Sequence, residues 1–184
     1  LRSEPGDSFA ARVVAHAEAR PTTLGTGRLI CIDGLAGAGK TTLARQVAAL
    51  RPEAVVLGTD EMLEGWSGLP GLGASIESLL RPLAAGEPGR WRRWDWYADG
   101  WAEWRRVDPG PLLVLEGVGS AAASYDELIT TLVWLEAPRE QRLARGIARD
   151  GEQMRDHWLT WLEDEADLHA REQTRARADL VLET

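Results

Sequence analysis

Gly34-Leu35-Ala36-Gly37-Ala38-Gly39-Lys40-Thr41 is the stretch that decides how the rest of the chain is read. Its spacing is Gly-x-x-x-x-Gly-Lys-Ser/Thr, the pattern of a loop that wraps phosphate groups. The flanking sequence agrees. Before the loop, residues 28–33 contain the apolar run Leu29-Ile30-Cys31-Ile32, which predicts a buried strand. After it, Leu43, Val47 and Leu50 fall on one stripe, which predicts a helix over 39–50. Glycines let main-chain N–H groups curl toward an anion with no Cβ in the way. The helix N-terminus adds free donors. Lys40 supplies a cation for the terminal phosphates and Thr41 a hydroxyl ligand for Mg²⁺. Gly34, Ala36, Gly37, Ala38, Gly39, Lys40, Thr41 and Thr42 are therefore the candidate nucleotide-binding residues, and ATP and Mg²⁺ the expected cofactors.

Composition singles out one of these residues. The chain has twenty arginines and one lysine, Lys40. An ammonium is a compact charge on a slim stem, whereas a guanidinium is a broad planar fork. A lone lysine at this position points to a site that arginine would not serve.

Working outward, short apolar runs at 54–57, 112–115, 132–135 and 180–182 predict four more strands. Helices are predicted over 7–20, 75–84 and 139–149, and around Trp158, Trp161 and Leu162. Residues 61–73 are glycine-rich and read as irregular, and a short helix is expected to end at 125–128. Residues 86–108 carry five of the nine tryptophans and are given no element. Alternating strands and helices predict a doubly wound α/β fold, a five-stranded parallel sheet with helices on both faces. One domain is expected over 1–184, with 1–27 as an N-terminal helical extension and 138–157 as an arginine-rich lid.

The hydrophobic fraction of 44% and charged fraction of 27% suit one globular domain of 184 residues. A net charge of −8 argues against a nucleic-acid partner, so the local arginine clusters are read as sites for small phosphate groups. No run of eighteen apolar residues predicts a membrane span. Glu4, Asp7 and Glu18 interrupt the first twenty residues, which therefore do not read as a signal peptide. Cys31 stands alone and is expected to be a buried, inert thiol in a reducing compartment. These features predict a cytoplasmic protein with a small-molecule partner; a homo-oligomer stays open. The chain has no asparagine, which excludes the Asn-Lys-x-Asp guanine reader of GTPases.

On the acceptor side, Glu116 closes the run Leu112-Leu113-Val114-Leu115. An acid there can hold a Mg²⁺-bound water or simply reach solvent. Asp60 follows the second strand, where a carboxylate can take a proton from an acceptor hydroxyl; Glu61 is the alternative. Arg142, Arg145 and Arg149 share one helix face and suit a transferring phosphoryl group, or else form a solvated face paired with nearby acids. The tryptophans can stack on a planar acceptor or build core. Trp66, Asp95 and Trp96 join Asp60 and Glu116 as candidate substrate residues. Asp95 can instead pair with Arg92 or Arg93 and shape its loop.

The ordered set of motifs resembles the uridine kinase and nucleoside/nucleotide kinase family of P-loop kinases, over about Arg28 to Thr184. Ile32-Asp33-Gly34 leading into Gly39-Lys40-Thr41-Thr42 is similar to that family's phosphate loop. Trp94-Asp95-Trp96 resembles its ribose-holding segment, and Leu115-Glu116-Gly117 its Glu-Gly after the third strand. Asp60 resembles its catalytic aspartate, and Arg142, Arg145 and Arg149 its lid. The chain looks especially like short, tryptophan-rich actinobacterial members. The resemblance implies an ATP:alcohol phosphotransferase acting on a nucleoside such as uridine or cytidine. The alternatives are a kinase for a nucleotide, sugar or antibiotic, and a regulatory NTP-binding protein.

Overall fold

The computed structural model describes residues 8–184. Five strands form one parallel sheet: β1 (Arg28–Gly34), β2 (Val55–Gly58), β5 (Leu112–Glu116), β6 (Thr131–Glu136) and β7 (Leu180–Glu183), in the order β2-β5-β1-β6-β7. β1 is central because its residues are apolar on both sides. Ile30 and Ile32 face one layer, which is covered by α1 (Phe9–Glu18) and α2 (Lys40–Leu50) through Val13, Val14, Leu43 and Val47. Leu29 and Cys31 face the other, covered by α3 (Leu69–Ala84) and α5 (Arg155–Glu172) through Ile76, Leu79, Leu80 and Trp161. Truncating a fully buried side chain such as Ile76 or Leu79 to Ala should cost about 2–5 kcal/mol.

The strands and α4 (Arg139–Asp150) lie where the sequence predicts them, within a residue or so at their ends. Ser8 caps α1 by accepting the Ala11 amide at 3.2 Å; the expected start at Asp7 lies outside the described residues. α1 packs on α2 and β6 as part of the sheet's cover. Cys31 is fully buried, and burial pushes its thiol pKa up, which suits an inert thiol.

Two segments differ from expectation. α3 begins at Leu69, within the segment read as irregular, because burial of Leu69 and Leu72 outweighs the glycines at 71 and 73, and Pro70 is tolerated in the first turn. Residues 89–107 form an antiparallel hairpin, β3 (Gly89–Asp95) and β4 (Gly100–Val107), outside the main sheet. In β3, Trp91 is buried in the core on the α3 side and Trp94 is buried with its ring against Trp101, while Arg90 and Arg92 are exposed. No helix among the described residues is long and apolar enough to cross a membrane.

Candidate active site at the carboxyl ends of the strands

The loop 34–39 connects β1 to α2 at the carboxyl edge of the sheet, beside the point where successive strands are laid down on opposite sides of β1. Two glycines are dictated by approach distance. A Cβ on Gly34, at φ 136°, would stand 2.1 Å from the Leu135 carbonyl oxygen. A Cβ on Gly37, at φ 80°, would stand 2.7 Å from the Arg142 carbonyl oxygen. The loop is thus wedged between β6 and α4, and α2 begins with no side-chain cap on its first amides.

Lys40 is buried and donates from Nζ to the carbonyls of Gly34 at 2.7 Å and Leu35 at 2.9 Å. Burial pulls its pKa down, opposed by the charges of Glu165, Asp33 and Glu116. Thr41 Oγ1 donates to Glu116 Oε1 at 2.9 Å. Glu116 ends β5 and is itself buried, which raises its pKa against the pull of Thr41 and Lys40. These two hard oxygens, hydroxyl and carboxylate, are the kind of donors that could hold Mg²⁺ if phosphates and waters completed its shell.

Asp60 lies on the single helical turn Thr59–Glu61 after β2. Its Oδ1 is 2.5 Å from the position a Cβ would take on Gly58, and Glu116 Oε1 is 3.7 Å from the same point. The two carboxylates therefore flank one spot, and the charge of Asp60 contributes to raising Glu116. Thr59 Oγ1 donates to the Val118 carbonyl at 3.0 Å, and Trp96 Nε1 to the Asp60 carbonyl at 3.0 Å. The turn is pinned from both sides while the Asp60 side chain stays exposed.

The three arginines of α4 have three different fates. Arg145 is exposed and donates to the Gly37 carbonyl at 3.0 Å, on the phosphate loop. Arg149 pairs with Asp150 and lies over the Trp158 ring at 5.5 Å; its pKa is raised first by Asp150 and, more weakly, by the charge of Asp60. Arg142, expected on the phosphates, is instead buried behind the loop. It donates to Glu165 Oε1 at 3.0 Å, the Ala36 carbonyl at 3.2 Å and the Ala137 carbonyl at 3.1 Å. Its Nε and Nη1 are spent on main-chain carbonyls and on a buried pair, and loss of one partner of such a pair costs about 3–5 kcal/mol.

Asp95, expected to grip acceptor hydroxyls, is occupied within its own hairpin. Oδ1 accepts the Tyr97 and Ala98 amides, each at 3.0 Å, and Oδ2 pairs with Arg93 at 3.3 Å. The Ala98 amide first, then Tyr97 and Arg93, hold its pKa below the ordinary range. Trp66 and Trp96 do meet, edge to face at 5.7 Å, and Trp66 also stacks on His157 at 5.3 Å and meets Trp161 at 5.8 Å. This aromatic group adjoins the Asp60 turn through Trp96.

Three further features lie outside the candidate site residues of the sequence. Asp33 is fully buried and accepts the amides of Gly34 at 2.7 Å, Gly119 at 3.0 Å and Ala121 at 3.0 Å, tying the loops after β1 and β5 together. Its place just before Gly34 was the available signal. Glu165 accepts the Ala36 amide at 2.7 Å from a helix far along the chain. A cavity of about 370 Å³ opens beside Gly39 and Thr42, between Phe9, Leu43, Gln46, Leu135 and Arg145; Thr184 Oγ1 closes its floor on the Ala38 carbonyl at 2.9 Å.

No family model and no curated protein sequence matches the chain. Solved structures do. A candidate uridine kinase from Bacillus stearothermophilus superposes with a TM-score of 0.62 at 21% identity, over 93% of this chain and 97% of that one. A candidate fructose transport system kinase from Silicibacter sp. TM1040 gives 0.68 at 21% identity, over 96% and 100%. The chain has the P-loop kinase fold. In that fold Lys40, Thr41, Glu116 and Asp60 come together from three different strand ends, β1, β5 and β2, at one edge of the sheet.

Proposed function

We propose that this chain is an ATP-dependent phosphotransferase that moves the γ-phosphate of ATP to a hydroxyl of a small molecule, with a nucleoside such as uridine or cytidine as acceptor. The observation that carries the reading is the Thr41–Glu116 hydrogen bond with Asp60 flanking it. A metal donor pair and an exposed carboxylate adjoin a phosphate cradle.

The ATP phosphates lie on residues 34–41, where Lys40 exchanges its carbonyl partners for phosphate oxygens. The base fits the cavity beside Phe9 and Gln46, which is within the size range of ligand pockets. Thr41 and Glu116 hold Mg²⁺, which when bound neutralises phosphate charge. Asp60 accepts the proton of the acceptor hydroxyl as its oxygen bonds to the γ-phosphorus and the bond to the β-phosphate oxygen breaks. Arg145 and Arg149 stand on the α4 face to stabilise charge on the phosphoryl oxygens. Trp66 and Trp96 offer aromatic surface beside Asp60 for a planar acceptor.

A second acceptor class, a sugar, is favoured by one observation: the Asp95 carboxylate is committed to the hairpin turn, so the group that would hold a ribose is already engaged. No nucleic-acid or membrane partner is proposed, and the acidic chain suits neither. Acceptor-dependent ADP release across nucleosides, sugars and nucleotides tests the reading. Uridine or cytidine should stimulate release most; ATP turnover indifferent to every acceptor would overturn it.

A further inference from the structure

Glu165 lies on α5, outside every motif that marks the phosphate loop, yet it is fully buried against that loop. A carboxylate is seldom buried unless each oxygen is paired. Here both are. Oε2 accepts the Ala36 amide at 2.7 Å, and Oε1 accepts Arg142 Nη1 at 3.0 Å. The same Arg142 nitrogen donates to the Ala36 carbonyl at 3.2 Å. The circuit closes on a single residue of the loop, gripping its N–H through an acid and its C=O through a base. Arg142 is anchored in turn to the Ala137 carbonyl at 3.1 Å, and its own backbone lies against Gly37.

We propose that Glu165 is a positioning residue for the phosphate loop, acting with Arg142 through the peptide groups of Ala36. This rests on the reading of residues 34–41 as a nucleotide cradle. The circuit gives the loop its shape before any phosphate arrives, so the nucleotide meets donors already aimed. It also ties the start of α4 to the loop, which sets where Arg145 stands over Gly37. A buried ion pair that merely joined α4 to α5 would need no bond to Ala36; the short amide bond at 2.7 Å is what such a role leaves unexplained.

The two roles separate in the double variant Arg142→Met with Glu165→Met. Apolar residues of similar volume commonly replace a buried ion pair without loss of stability, but they cannot accept an amide. A positioning role predicts a parental melting temperature with kcat/KM for ATP lowered by up to about 10²-fold, and KM for the acceptor unchanged. Parental melting with parental kcat/KM for ATP would overturn the proposal. If the double variant does not fold, Glu165→Asp serves. It keeps the charge but shortens the reach to Ala36, and it too should lose efficiency with ATP; full retention would overturn the proposal. Amide hydrogen exchange needs no catalysis. Peptides covering 34–39 should exchange faster in either folded variant while those of α4 and α5 keep their protection. Unchanged loop protection in the variants overturns the proposal even if the chain binds no ATP, whereas faster loop exchange in the variants of a parent that shows no kinase activity sustains it and points at the kinase reading instead.

Discussion

In the proposed reading, the donor edge and the acceptor edge of this site are built in opposite ways. On the donor edge, the groups are buried and cross-braced: Lys40, Asp33, Arg142 and Glu165 bond to main chain or to one another, and Glu116 to the Thr41 hydroxyl, across β1, β5, α2, α4 and α5. On the acceptor edge, Asp60 and Trp96 are exposed, and the hairpin that carries Trp96 stands outside the main sheet. The difference teaches where preorganisation lies. Phosphate chemistry is the same for every acceptor and rewards a rigid cradle, while the acceptor surface is hung on a hairpin and a single helical turn, where change leaves the cradle intact.

If that contrast is right, substitutions at the Asp60–Lys40 junction should have the largest effects. Asp60→Asn should lower kcat and kcat/KM together by about 10²–10⁴-fold, because its work is done in the transition state. A near-normal kcat would move the base assignment to Glu61, which is paired with Arg105 at 3.1 Å. Arg145→Ala should lower kcat by about 10²-fold, as loss of one donor to developing charge does, and Arg149→Ala by less, since its Nε and Nη2 already bond Asp150. Equal KM-only effects in both would return the α4 face to solvent.

The smallest effects belong to the hairpin. Asp95→Asn should lower the melting temperature of the hairpin, followed by tryptophan fluorescence, more than it changes acceptor KM; a selective rise in KM would restore Asp95 to the acceptor. Acid should act on the same place. Arg93 and Arg105 hold Glu103 at a pKa of about 2, and Asp95 is likewise depressed. Groups with depressed pKa values give stability that is present above their unfolded values near 4. That stability should drain away as pH falls from about 4 toward about 2, and Asp95→Asn should flatten part of the acid limb.

The same contrast governs what could be read from sequence. The phosphate loop, the five strands and α4 are local patterns, each complete within about a dozen residues, and they stand where the pattern puts them. The hairpin carried a readable signal that was masked by its tryptophans. Trp91 alternates with Arg90 and Arg92, and Asp99, at φ 48°, is the left-handed residue that leads into β4 at Gly100. Arg142 was illegible for a different reason. Its spacing with Arg145 and Arg149 is that of one exposed face, but its burial depends on Glu165, which arrives 23 residues later. Asp95 likewise looks like a ligand in a linear motif and becomes a turn cap only once the Tyr97 and Ala98 amides fold over it.

The central claim is that one lysine in a braced cradle serves transfer to an acceptor held elsewhere. It is tested most directly by ADP release from the parent and from Lys40→Ala, with and without uridine, alongside their melting curves. The account predicts uridine-stimulated release in the parent, a loss of about 10³-fold in Lys40→Ala, and little change in melting. Full uridine-dependent release from Lys40→Ala would contradict it.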